Sequence, residues 1–426
     1  MSEERTALVK RRTLVGHSQE SLARAVGSTS RSVRNWEHGI STPSPRLRPS
    51  IARALEISLE VLDRLLNEDS QPSVPTPNHL VPIPADVHPA PELEYLFAKL
   101  ISRSHQSEIP EVETTSPGSM FELPDGTPLP LDSLGTTSDL DELLLGPLAS
   151  WAAADNRIGP HPLRGLVTSH FRVIESFLDS ARGTDFKQVT YAAARHAELG
   201  GWLAQDAGDL PAAAAWTKSA LDAARISSNR ELESYILMRQ SNIATDRGDA
   251  KLAIALADAA WQTARSQSEA LHVLALRQRA HAHAALGDSA AALRDAERAR
   301  TLLLHDSPEL SDLTGYCTLE FLTMESASCL VDLGFAAEAI PILESGLQDW
   351  DPTRRRDLGL CLARLALAYA HCRETEIAMS ISQQAADIAA TTRSHRTLRV
   401  LQRVCDEFQR LGSLEQMRDL RTVLGT

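Results

Sequence analysis

The sequence predicts an all-α protein in three parts: a small basic helical head, a proline-rich linker and a stack of helical hairpins. Three observations predict it. Residues 5–53 carry ten Lys/Arg against Glu20 and Glu37, a local +8 in a chain of net charge −13. Fifteen of the 22 prolines fall within residues 71–162. Beyond 163 the chain is rich in alanine and leucine, and small residues recur at fixed distances from regularly spaced glycines. The expected boundaries are 1–70 for the head, 71–162 for the linker and 163–426 for about six hairpins.

The head reads as about five short helices. The first spans Thr6–Leu14, with Leu8 and Val9 apolar and Lys10, Arg11 and Arg12 exposed. Ser18 can cap a second helix through its hydroxyl, and Glu20 favours the positive end of that helix. This helix runs through Leu22, Ala23 and Val26 and stops at Gly27. Thr29 can cap a third, Ser30–His38, which stops at Gly39. Two helices joined across Gly27-Ser28 form a helix-turn-helix.

Gln19, Ala23, Gly27, Val33, Trp36-Glu37, Gly39 and Pro43 stand at spacings that resemble the Cro/repressor-like XRE family. The run Ile51–Leu66 is similar to the closing helices of that family. The resemblance covers about 60 of 426 residues. It implies a third helix in the major groove of double-stranded DNA, with its N-terminal side chains on base edges. Carried over, it gives Gln19 a phosphate or base contact and makes Ser30, Arg31 and Asn35 base readers. Arg31 suits guanine O6 and N7, and Asn35 suits adenine N6 and N7. Thr29 becomes a cap and phosphate contact, and Arg34 reaches base or backbone. Arg46 and Arg48, in the loop after Pro43, are phosphate contacts by charge and place. Ala23, Val33 and Trp36 pack the two helices around the Gly27 turn, and Arg12 and Glu37 match a family ion pair.

The linker contains runs such as Gln71-Pro-Ser-Val-Pro-Thr-Pro77, which cannot continue a helix. Glu92–Ser104 and Asp139–Ala154 are its helical islands. It is expected to be a passive tether, with a partner-docking strip as the alternative.

The repeats are marked by Gly208, Gly248, Gly287, Gly334, Arg373 and Gly412, at spacings of 40, 39, 47, 39 and 39 residues. Seven residues before each mark stands Gly201, Ser241, Ala280, Ala327, Ala366 or Cys405. Five after stands Ala213, Ala253, Ala292, Ala339, Ala378 or Met417. Small residues at such offsets let two helices approach closely, and a glycine past a helix end adopts the left-handed conformation cheaply. The hairpins bury their apolar faces only by stacking. This pattern resembles the tetratricopeptide repeat, with Gly-Asp turns at 208, 248 and 287. It departs in its longer period, in Arg373, and in lacking the large early aromatic. Residues 163–187 are expected to form a capping or adaptor helix.

In tetratricopeptide arrays the first helices line a concave groove. The register then offers Arg195, Glu198, Trp202, Met238, Arg239, Asn242, Arg277 and His281 as groove-facing. Arginine and asparagine there could hold a peptide's backbone or carboxylate, and Trp202 or Met238 could seat an apolar side chain. A scaffold and dimerisation surface is the alternative. An XRE head followed by such repeats resembles two-part bacterial regulators, some of which bind short signalling peptides. Glu198–Gly208 is closer to large actinomycete-type regulators.

Several classes are excluded. No GxSxG, Walker loop, HExxH or strand-borne GxGxxG occurs, so no enzyme, cofactor or metal is expected. His281 and His283, two apart, face apart on a helix. Five scattered cysteines without CxxC argue for a reducing compartment and against a disulfide framework. No 18-residue apolar run occurs, and Met-Ser-Glu-Glu-Arg has no export-signal character, so a cytoplasmic, nucleoid-associated protein is expected. One small head covers about half a site, so a homodimer on an inverted repeat is expected. The competing reading is a protein–protein adaptor with an accessory DNA-tethering head.

Overall fold

The structure is a computed structural model that describes residues 17–44, 46–55, 120–122, 128–130 and 137–425, without 182, 265–268, 307–310 and 349, plus positions 8, 9, 12, 13, 15, 62 and 66. The chain divides into a compact unit within residues 1–86 and a second within 87–426.

The head is built from α1 (Gln19–Ala25), α2 (Ser30–Glu37) and α3 (Arg48–Ala54). Leu8, Val9, Arg12 and Thr13 are also helical. Ser18 Oγ accepts from Ser21 N at 3.1 Å and Thr29 Oγ1 from Ser32 N at 3.2 Å, so both expected caps form. Gly27 closes α1 at φ +68°. Leu8, Leu22, Ala23, Val26, Val33, Trp36, Ile51 and Leu55 fill the core. Leu62 and Leu66 join that core, but most of the closing-helix stretch 56–66 lies outside the described residues.

Glu92–Ser104 lies outside the described residues. The second helical island forms α4 (Thr137–Ile158), and it is no free tether. Its Leu140, Leu144 and Leu148 are buried in the core of the repeats. The linker also holds two three-residue strands, β1 (Met120–Glu122) and β2 (Pro128–Pro130), paired antiparallel with Phe121 opposite Leu129. They are an addition to the all-α reading. Pro128 and Pro130 stand two apart, so their donor-less nitrogens face one side and leave Leu129 to pair.

After α5 (His161–Ser180), the expected lead-in helix, come six hairpins: α6 (Gly183–Asp206) with α7 (Leu210–Ile226), α8 (Arg230–Asp246) with α9 (Ala250–Thr263), α10 (Glu269–Ala285) with α11 (Ser289–Asp306), α12 (Leu319–Asp332) with α13 (Ala336–Leu347), α14 (Arg355–His371) with α15 (Thr375–Thr392), and α16 (His395–Leu411) with α17 (Leu414–Leu424). All six marks have positive φ, from +66° at Arg373 to +87° at Gly208. In each turn the next amide reaches back five residues, as in Asp209 N to Ala204 O at 2.9 Å and Glu374 N to Tyr369 O at 3.0 Å. Asp209, Asp249 and Asp288 then cap the following helices. Four of the first helices run 17 residues, which accounts for the long period. The small-residue offsets mark close packing: a Cβ on Gly201 would lie 2.7 Å from Thr217 Cγ2.

The array closes on itself. The C-terminal end of α4 meets α14 and α15, and α6 meets α16. Asn156 Nδ2 donates to Asp357 Oδ2 at 3.0 Å, and Asp155 pairs with Arg356. Asp206, fully buried, accepts from Ser394 Oγ at 2.8 Å and from Arg396 Nε at 2.7 Å. At the seam a Cβ on Gly159 would overlap the Thr392 carbonyl. The expected concave groove is therefore the wall of a cavity. No described helix is long and apolar enough to cross a membrane.

Candidate functional site

In the head, the buried face of α2 is Val33, Trp36 and Glu37. Glu37 anchors two elements: Arg12 Nε meets its Oε1 at 2.5 Å, and Gln19 Nε2 donates to its Oε2 at 2.5 Å. Arg12 also donates to the His17 carbonyl at 2.7 Å. The ion pair expected from the resemblance is thus present, and it also holds Gln19. The Gln19 carbonyl receives Arg34 Nε at 3.5 Å, so Gln19 sits half-buried and positions Arg34 as well as facing outward.

The opposite face of α2 is polar. Arg31 and Arg34 are exposed at i and i+3, and Ser30 and Asn35 are half-buried beside them. Thr29 is exposed at the cap. Arg46 is exposed, while Arg48 is half-buried with Nε on the Pro43 carbonyl at 3.3 Å. Among the described residues no carboxylate pairs with Arg31 or Arg46. A helix with one apolar face in a core and the other bearing two exposed guanidiniums can enter a groove and meet phosphates and base edges together.

In the body, the cavity lined by the closed array, which opens to solvent, has a volume of about 1480 Å³. Arg195, Glu198, Trp202, Arg239, Asn242, Arg277 and His281 all line it, as the register predicts. Met238 does not. It is 1% exposed, with Arg277 Nη2 over its sulfur at 3.6 Å, so it is core and cannot seat a ligand side chain. Two further expectations change in character. The Trp202 ring is covered by the guanidiniums of Arg396, Arg239 and Arg356, at 4.3, 4.7 and 4.7 Å, and its indole N–H donates to Asp155 at 2.7 Å. It holds the closure together by cation–π contact and is no open apolar seat. The Asn242 amide is spent on Gln205, Arg239 and Gln278.

Sequence reasoning missed the far wall. Glu325 Oε2 meets Arg277 Nη1 at 3.1 Å and His281 Nε2 at 3.0 Å, while its Oε1 accepts from Arg364 at 2.7 Å. Burial raises the Glu325 pKa, but Arg364, His281 and Arg277 outweigh it and hold the carboxyl well below its ordinary value. Burial likewise opposes protonation of His281, yet Cys329 and Glu325 push its pKa up to about 10. Phe321, 5.4 Å from the Arg277 guanidinium, and Tyr316, edge-on to Phe321, stand beside this group. A signal for the wall did exist. The register that puts Arg239 nine residues before its mark puts Glu325, Arg364 and Arg403 nine before theirs. The long third spacing of 47 residues holds the loop that delivers Tyr316. Among the described residues no group of three or more His, Cys, Asp or Glu could hold a metal ion.

Residues 8–62 match the family model described as helix-turn-helix, and they are a helix-turn-helix domain of the kind the sequence spacing implies. A search of curated proteins found no match. Among solved structures, PlcR of Bacillus thuringiensis, crystallised with the peptide PapR7 and DNA, aligns at 13% identity over 81% of this chain and 93% of that chain, with a TM-score of 0.32. A superposition that loose supports no inference about shared detail.

Proposed function

We propose that the chain is a sequence-specific DNA-binding transcriptional regulator whose repeat domain senses a peptide or protein signal, dimerises, or does both. The observation that carries the reading is the polar face of α2. In a helix-turn-helix domain of local charge +8, Arg31 and Arg34 stand exposed, with Asn35 one turn on from Arg31. The acidic remainder of the chain, at −21, repels DNA and restricts binding to the head. The cavity supports the sensing role: it exceeds the roughly 300–1,000 Å³ of small-molecule pockets and has room for a short peptide. A homodimer on an inverted repeat, a nucleoid-associated location in the cytoplasm and the absence of any catalytic step belong to the same reading.

The test is selection of genomic fragments by the full-length protein at near-physiological salt. The reading expects an enriched inverted repeat. Arg31→Ala with Asn35→Ala removes two base contacts worth about 1–3 kcal/mol each and should cost about a hundredfold or more in site-specific affinity. Sequence-blind, salt-sensitive binding by the wild type would reduce the head to a phosphate-attracting tether, as in the adaptor reading.

A further inference from the structure

Nine arginines, His281 and nine carboxylates line the cavity, so positive charge is in slight excess, and the excess is local. Asp312, Glu320 and Asp351 are exposed. Around Trp202 each guanidinium has a carboxylate: Arg239 pairs with Glu198, Arg356 with Asp155 and Asp357, and Arg396 with Asp206. Around Glu325 the count fails. Arg277, His281 and Arg364, with side chains 11, 12 and 16% exposed, share that single carboxylate. Asp332, the next carboxylate to act on Arg364, is already paired with Arg403, so Glu325 is the one carboxylate in ion-pair contact with these three cations among the described residues, and the buried Arg277 Nε has no hydrogen-bond partner. Buried charge in excess of its counter-charge is costly unless another group neutralises it. Phe321 and Tyr316 add an aromatic wall next to the excess charge.

We propose that the Arg277–His281–Arg364 wall is an anion subsite that seats an oxyanion, carboxylate or phosphate, carried on an apolar or aromatic body that packs against Phe321 and Tyr316. The planar guanidinium fork can donate to two oxygens of either oxyanion at once. The aromatic rings supply contact for the part of the ligand behind the charge. Glu325 holds the three cations in place while the cavity is empty, and the ligand supplies the missing negative charge. This subsite rests on the reading that the cavity is a ligand site, and it names the ligand's chemical class.

The experiment titrates full-length protein with N-acetylphenylalanine, its uncharged amide and phenyl phosphate, read by calorimetry and ligand-observed NMR. The acid or the phosphate should bind about tenfold or more tightly than the amide, the scale of a charge-assisted hydrogen bond. Whichever of the two is tighter identifies the oxyanion. Arg364→Gln should erase the preference. Glu325→Gln raises the local positive charge and should tighten the anions while leaving the amide unchanged. A merely structural role for the cluster would make the two variants fall together. Equal binding of acid and amide, or no binding by any probe at millimolar concentration, overturns the subsite. The sensing reading is judged separately, by whether a peptide library changes DNA binding: peptides that act while acid and amide stay equal would sink the subsite and leave sensing in place.

Discussion

The head and the repeat body treat arginine in opposite ways. In the head, Arg31 and Arg46 face solvent without a carboxylate among the described residues, while Arg12 is turned inward, to Glu37. In the body, Arg239, Arg279, Arg356 and Arg396 are each turned onto a neighbouring acid. The same side chain is a contact surface in one region and a strut in the other. The deciding variable is the local supply of Asp and Glu: two against ten cations in residues 5–53, and an acidic excess elsewhere. Exposed ion pairs contribute little to stability, whereas unpaired surface cations make a field that a polyanion can answer.

The sharpest way to break the contrast is at Arg12, the head arginine that is paired with a buried carboxylate. Arg12→Ala leaves Glu37 buried without its cation and should cost about 3–5 kcal/mol, much of the stability of so small a core. Hydrogen exchange over residues 17–55 should accelerate strongly, and unchanged exchange would mean that Gln19 suffices to hold Glu37.

The next test uses pH on the body. His281 titrates near 10 in the folded chain and near 6.5 unfolded, so its contribution is complete below 6.5 and drains away as pH rises toward 10. His196 behaves oppositely. It is fully buried, its Nδ1 is on the Ala192 carbonyl at 2.8 Å and its Nε2 on His170 at 2.8 Å. Burial, with His170 and Arg195, lowers its pKa to about 3 against the Ala192 bond. It therefore favours folding above pH 6.5 and loses that contribution as pH falls toward 3. The stability of the full chain should peak near pH 6.5 and decline on both sides, by a few kcal/mol on the alkaline side, with the Tm falling in step. His281→Gln should flatten the alkaline limb and spare the acid one.

The smallest effect is at the fifth turn. Arg373 is exposed and holds the left-handed conformation at φ +66° that glycine holds in the other five turns. Arg373→Gly should stabilise the body by about 0.5–1 kcal/mol in denaturant unfolding, the steric cost of a side chain there less the added freedom of the unfolded glycine. A loss of stability would mean that the Arg373 charge, near Glu407, outweighs the strain.

Local features were legible in the sequence, and distant ones were not. The six turns could be placed because a left-handed residue and a small packing residue recur within a dozen positions of each other. The caps at Ser18 and Thr29 are also local chemistry. The Arg12–Glu37 pair came through family resemblance, since 25 residues separate its members. Nothing local announces that Asp155 will meet Arg356, 201 positions away. That meeting depends on small rotations summed over five hairpins. The same summation covers Trp202 with arginines and saturates Asn242, so residues correctly placed on the inner wall were given too much freedom there. Met238 failed for a nearer reason: its helical position is one step from Arg239, and one step turns a side chain about 100° into the core.

The closure also sets an order of events during synthesis. An open stack of hairpins can fold as each repeat leaves the ribosome, because each contacts only its neighbours. Here α4 waits for α14, and Asp206 waits for Ser394 and Arg396, near the end of the chain. The reading helix is finished within the first 55 residues, but the cavity has no far wall until α12 and α14 emerge and no seal until α16 does. A nascent or truncated chain thus carries a helix-turn-helix head before the chamber of the repeats exists.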